Sequence, residues 1–294
     1  MRLNYISQIK SNLKKSATIS TKRPTSNILD GSYVSVFKGR SLNFDDLREY
    51  VPGDDVKDID WKATARSQQP LVREYIAEKK HNILFVLDTN KRMLGDTDAL
   101  VEKKEVALYA AGTLAYLVSR NGDYISAAFS SEKSMRFFPF KTGLMNVENI
   151  LQTYAKDTTR YNESDIVRSL DYIMRNIRRR MIIIIVTDIE GRRAISDRML
   201  KRLVSMHDVL LLSITDTDAS GKDVFDVDSY GFLPDFFTKD KKLLKREQKR
   251  KEIIEKESTE KLKKNGIVWS KLSNTDDIAF QITELLNRHK LEKR

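Results

Sequence analysis

Three carboxylates stand where a fold could turn them into a site. Asp88 closes the apolar run NILFVL (Asn82–Leu87), Asp188 closes MIIIIVT (Met181–Thr187), and Asp216 closes VLLLSIT (Val209–Thr215). Carboxylates brought together this way hold a hard cation or share a proton in acid–base work. Other chemistries lack their parts. The three histidines, His81, His207 and His289, are too far apart in sequence for a His-centred triad or zinc site, and those near element ends read as solvated. No cysteine is present, so disulfides and thiolate sites are excluded. There is no phosphate-cradling G-x-x-x-x-G-K-[ST], no G-x-G-x-x-G after a strand and no G-x-S-x-G elbow. Asp216-Thr-Asp218-Ala-Ser220-Gly221 matches half of a calcium loop, but Val227 stands where the bidentate Glu belongs, so it reads as a polar loop.

The elements that must position these carboxylates alternate. Strands are expected at Asn82–Leu87, Tyr124–Phe129, Met135–Phe140 (a hairpin partner of the previous one), Met181–Thr187, Val209–Thr215 and Ile267–Ser270. Helices are expected at Glu102–Arg120, Val147–Ala155, Ser164–Arg178, Ile195–Met206, Lys239–Lys264 and Asp276–His289. Nearly all-apolar strands separated by helices imply a parallel sheet covered on both faces, a doubly wound α/β fold. Ligands of such folds sit beyond the carboxyl ends of the strands at the switch point, where the three aspartates fall. Upstream, a short amphipathic helix is expected near Leu3–Leu13. From Gly31 to Ile76 no helical period persists, which predicts an irregular or β-rich extension.

A second cluster lies in Leu47–Glu78, LREYVPGDDVKDIDWKATARSQQPLVREYIAE. Pro52-Gly53-Asp54 is a turn, with Pro presetting φ and Gly permitting positive φ. Arg48, Arg66 and Arg73 lie among Asp54, Asp58, Asp60, Glu74 and Glu78, which suits a network of charge-assisted hydrogen bonds that fixes a fold. Trp61 is expected to anchor it from beneath.

This segment closely resembles the signature of the domain-of-unknown-function-58 family, roughly L-R-E-Y-x-P-G-D-D-x-R-x-I-D-W-x-A-x-A-R. Arg48, Glu49, Tyr50, Pro52, Gly53, Asp54, Ile59, Asp60, Trp61, Ala65 and Arg66 stand at the matching positions, with Lys57 where Arg is usual. The similarity runs from about Ile28 to the C-terminus. It implies a sheet of the von Willebrand A, Rossmann-like type and a partnership with a MoxR-type AAA+ ATPase. It also implies a metal-ion-dependent adhesion site, D-x-S-x-S after the first strand, with a Thr from a loop and a second Asp. Mapped here, the motif reads Asp88-Thr89-Asn90-Lys91-Arg92, with Ser164 at the Thr position and Asp188 at the second Asp. A guanidinium cannot ligate a cation. A degenerate site is therefore expected, without stable Mg²⁺, in which Arg92, helped by Lys91, bridges Asp88 and Asp188 in place of the metal; the alternative is an Arg92 that points to solvent from the loop.

Net charge is +11, carried by residues 1–29, with six Lys or Arg and no acid, and by residues 239–264, with twelve basic and six acidic side chains. The remainder is near neutral, which disfavours a nucleic-acid binder, as does the absence of aromatics in 239–264. The expected organisation is a basic N-terminal helix or arm (1–30), a signature-bearing extension (31–80) and a von Willebrand A-like domain (81–294). The expected function is a non-enzymatic, cytoplasmic adaptor, chaperone-like toward a complex that the ATPase assembles or activates. The alternative is a basic nucleic-acid or membrane-surface binder using 1–29 and 239–264. A metal-dependent hydrolase built on Asp88 and Asp188 ranks behind both.

Overall fold

Ile182 to Val186 are β-branched without a break, and such a run packs on a pleated surface better than in a helix. In the computed structural model, which describes residues 4–15, 25–34, 36, 46–74, 80–131, 134–217, 225–227, 231–232 and 240–292, it forms the fully buried central strand. In chain order the strands are β1 (Asp46–Glu49), β2 (Leu71–Glu74), β3 (Asn82–Leu87), β4 (Tyr124–Ser130), β5 (Met135–Phe137), β6 (Ile182–Asp188), β7 (Asp208–Ile214), β8 (Phe225–Asp226), β9 (Gly231–Phe232) and β10 (Val268–Leu272). Six of them form one sheet, in the order β10-β7-β6-β3-β4-β5. All neighbours are parallel except β5, which pairs antiparallel with β4 as the expected hairpin. Pro139, which has no N–H to give a ladder, follows β5 closely, and the strand is shorter than the expected 135–140.

Helices cover both faces. α1 (Tyr5–Lys15), α2 (Thr25–Tyr33), α4 (Lys103–Arg120), α5 (Leu144–Asp157) and α10 (Ile278–Glu292) lie on one side. α6 (Ile166–Asn176), α7 (Ile189–Ala194), α8 (Asp197–Met206) and the last turns of α9 (Lys241–Lys264) lie on the other. The expected helix over 195–206 starts two residues late because Ser196 caps it, accepting from the Met199 N–H at 3.2 Å. Asp165 and Asp240 act likewise for α6 and α9.

The N-terminal helix α1 packs on the domain. Ile6, Ile9 and Leu13 of α1 are buried against α4 and α5, and Glu148 accepts the Tyr5 and Ile6 N–H groups at 3.1 and 2.9 Å. Gly112 makes room, since a Cβ there would sit 2.2 Å from Ile9 Cδ1. Three such apolar side chains contribute on the order of 5 kcal/mol before ordering entropy. From α2, the Tyr33 hydroxyl donates to the buried Asp123 at 2.6 Å.

The extension holds β1 and β2 as an antiparallel pair and, contrary to expectation, a helix between them, α3 (Trp61–Ser67). The Asp60 carboxylate accepts the Lys62 and Ala63 N–H groups, each at 3.0 Å, and so nucleates a helix that hydrophobic period alone does not announce.

Candidate functional site at the switch point

β3 and β6 are parallel neighbours, so Asp88 and Asp188 come out side by side at the carboxyl edge of the sheet. Both are 1% exposed. Asp88 accepts the Asn90 N–H at 3.0 Å and the Thr187 hydroxyl at 2.6 Å, and its carbonyl accepts the Tyr154 hydroxyl at 2.9 Å. Asp188 caps α7, accepting the Gly191 N–H at 2.8 Å. Gly191 is required by this approach. A Cβ there would lie 1.9 Å from Thr187 Oγ1 and 2.5 Å from Asp88 Oδ2.

The cations of the chain fill the space between the carboxylates. Arg92 places Nε 3.4 Å from Asp188 Oδ2 and one terminal nitrogen 3.7 Å from Asp88 Oδ2. Lys103, on the first turn of α4 and 5% exposed, lies 3.3 Å from Asp188 Oδ2 and is paired on its other side with Asp216, two residues past β7. Three carboxylates thus meet two cations. Burial, and then the charge of Asp188, push Asp88 up to about 6. Burial acts upward on Asp188 too, but Lys103 and Arg92 outweigh it and hold that group below the ordinary carboxylate range. Burial leaves Asp216 raised despite Lys103. The cluster borders a cleft of about 200 Å³ walled further by Glu190, Arg250 and Ile254.

Asn90 and Ser164 are near but otherwise engaged. Asn90 Oδ1 accepts the Arg92 N–H at 3.0 Å, and its Nδ2 donates to the Ser164 carbonyl at 3.2 Å. The Ser164 hydroxyl donates to the Ser131 carbonyl at 3.2 Å. Lys91 donates to Glu163 at 3.0 Å. The oxygen donors that would complete a Mg²⁺ shell are committed to loop backbone, and a guanidinium and an ammonium occupy the approach. The residues do not suit a divalent ion. The Thr187–Asp88 hydroxyl–carboxylate contact is sealed, at 0 and 1% exposure.

Sequence reasoning missed Lys103. The signal was available, because position 103 continues the stripe of Val106, Ala110 and Leu114, and a lysine on an apolar face needs a carboxylate. It also misplaced the histidines. His207 is 2% exposed, with neither ring nitrogen hydrogen-bonded among the described residues, and His289 is 4% exposed, 3.2 Å from Asp208.

In the signature segment, Arg48 grips Asp54 with two nitrogens at 2.7 and 2.6 Å, and these hydrogen bonds hold Asp54 down at about 2. Gly53 has φ +115°, the Asp54 N–H donates to the Val51 carbonyl at 3.1 Å, and the Tyr50 N–H donates to the Pro70 carbonyl at 2.9 Å. Pro52 is exposed in that turn. Arg66 is exposed and makes no ion pair among the described residues, whereas the side chains of Arg73 and Glu74, and all of Glu78, lie outside them. Trp61 is not an anchor. It is 66% exposed, with Val51 and Val56 at 57% and Leu47 at 38% in the same segment. Capping by Asp60 supplies the order that a buried indole was expected to supply.

Strand order β5-β4-β3-β6-β7-β10, with the antiparallel strand at one edge and paired aspartates at the switch point, defines a doubly wound α/β protein. The chain belongs to the family described as "Protein of unknown function DUF58", which matches residues 46–221. Uncharacterised proteins of Mycobacterium bovis and Mycobacterium tuberculosis are 29% identical over 212 residues, which is 71% of this chain and 66% of theirs. The chain thus spans slightly less than two thirds of their length. Among solved structures, the conserved hypothetical protein BatB from Bacteroides thetaiotaomicron is 13% identical with a TM-score of 0.46, covering 71% of this chain and 98% of that one. A von Willebrand factor type A protein from Catenulispora acidiphila is 11% identical with a TM-score of 0.40, covering 73% and 43%.

Proposed function

We propose that the protein is a non-catalytic interaction module that works in the cytoplasm, with its signature segment as the docking surface. One observation carries this reading: Trp61, Val51 and Val56 are exposed on a segment held rigid by its own hydrogen bonds. An exposed aromatic on a preordered frame is the usual anchor of a protein interface. The switch point supports it from the other side, since its carboxylates are paired with Arg92 and Lys103 and its hydroxyl–carboxylate pair is closed off. In this reading Arg92 and Lys103 stand where a metal ion would, and the degenerate site locks one conformation of the edge.

The partner that the family resemblance implies is a MoxR-type AAA+ ATPase, with the chain as adaptor between it and a client. Capture from the native cytosol with the full chain should recover such an ATPase. Trp61→Ala should abolish capture while changing stability by less than about 0.5 kcal/mol, as surface substitutions do. A several-degree fall in Tm, or unchanged capture, would return Trp61 to a structural or idle role.

A further inference from the structure

α9 carries a charge pattern that folding by itself disfavours. Lys241, Lys242, Lys245, Arg246 and Lys249 are all exposed, and none makes an ion pair among the described residues. Cations four residues apart (Lys241 and Lys245, Lys245 and Lys249, Lys242 and Arg246) repel one another. Those in the first turn also face the positive end of the helix dipole, which the Asp240 cap only partly offsets. Two neighbours differ: Arg250 is held by Glu247 and Glu190, and Lys251 donates to the Thr217 carbonyl at 2.6 Å. Within 241–251 the one acid is Glu247, which Arg250 engages, and from Glu252 to Lys264 four acids balance four bases.

The pattern is one-sided. At 3.6 residues per turn the five cations fall within an arc of about 140°, and the middle of the buried stripe of Ile254, Ser258 and Leu262 points about 180° away from the middle of that arc. The helix is thus fastened by its far half, while its first three turns hold a cationic face toward solvent.

We propose that this face adsorbs the protein to an anionic lipid bilayer. All five cations share one side of a straight rod, so a plane can meet them together. Four of the five are lysines, strongly hydrated point charges that suit headgroups, whereas specific protein interfaces are depleted in lysine. A duplex groove would place Lys245 and Lys249 against base edges, where planar donors such as Asn, Gln or Arg read sequence, and no aromatic is present to stack on single strands. Ile253, 48% exposed at the end of the block on the same face, adds one shallow apolar contact. Contact is peripheral, since no helix of the described residues is long and apolar enough to cross a membrane.

The test sediments the full chain with phosphatidylcholine vesicles, with and without phosphatidylserine, over a range of salt. Binding is expected only to the phosphatidylserine vesicles, weakening as salt rises. The triple variant Lys241→Gln, Lys245→Gln, Lys249→Gln should lower the partition coefficient about 100-fold without lowering Tm. Arginine at the same three positions should preserve binding. Trp61→Ala should leave it unchanged, which separates this surface from the docking segment. Equal binding to both vesicle types, or native binding by the glutamine variant, overturns the proposal. So does displacement of the chain from anionic vesicles by duplex DNA at matched salt, which would reassign the face to nucleic acid.

Discussion

Replacing Lys103 with Met isolates the charge balance at the switch point, because Met keeps the unbranched apolar stem and deletes only the ammonium. At 3.3 Å and an effective dielectric of about 20, Lys103 and Asp188 attract by about 5 kcal/mol, part of which offsets the desolvation of the lysine. In the variant Asp188 keeps only Arg92, and Asp216 loses its cation. Breaking a buried pair from one side costs about 3–5 kcal/mol, so Tm should fall by roughly 10 °C at neutral pH. The pH dependence carries the sharper signature. Asp188 has a folded pKa below its unfolded value, so its contribution is present above the unfolded pKa and is lost as pH falls through the folded one. Without Lys103 that contribution disappears, and both acids protonate more readily in the folded state. The gap between native protein and variant should therefore be widest near neutral pH and close in acid. Urea titrations at several pH values measure it. Adding Asp216→Asn should recover part of the loss by removing a stranded carboxylate. A deficit below about 1 kcal/mol, or one that is equal at every pH, would show that the cluster is not held by its charges.

Two further perturbations address the same molecule. Arg92→Ser should cost less than the lysine change, about 1 kcal/mol, because the Arg92 side chain is 27% exposed. Millimolar Mg²⁺ should raise the Tm of that variant but not of the native protein, and equal behaviour of the two would end the idea of a surrogate cation. His207→Leu should stabilise by about 1 kcal/mol, since two buried ring nitrogens without partners are removed. Burial, then Arg180, hold the His207 pKa below 6.5, so the unfolded chain takes up its proton first and stability falls as pH drops below about 6.5. The leucine variant should lose that acid limb in thermal melts, and a limb that persists would place its origin elsewhere.

Much of the architecture was legible in the residues, for reasons that are local. The runs ending in Asp88, Asp188 and Asp216 are short and nearly all apolar, as buried strands are, and their alternation with amphipathic helices leaves a doubly wound sheet as the packing solution. The meeting of Asp88 and Asp188 was expected from the family resemblance, and the strand order that puts β3 beside β6 came from the fold. The Pro52-Gly53 turn and the Arg48–Asp54 pair were equally local, with partners only six residues apart. What tertiary structure decided was the fate of side chains whose partners are remote in sequence. Lys103 continues an apolar stripe that the sequence displays, but its partners Asp188 and Asp216, 85 and 113 residues away, meet it only in the folded chain. Trp61 looked like a core residue because large apolar side chains are usually buried, but α3 is ordered by the Asp60 cap and needs no indole beneath it, so the ring faces solvent. The cations of α9 could be counted from the sequence, but their freedom could not. Only the packed chain shows that Glu247 and Glu190 engage Arg250 and that, among the described residues, the outward lysines make no ion pair.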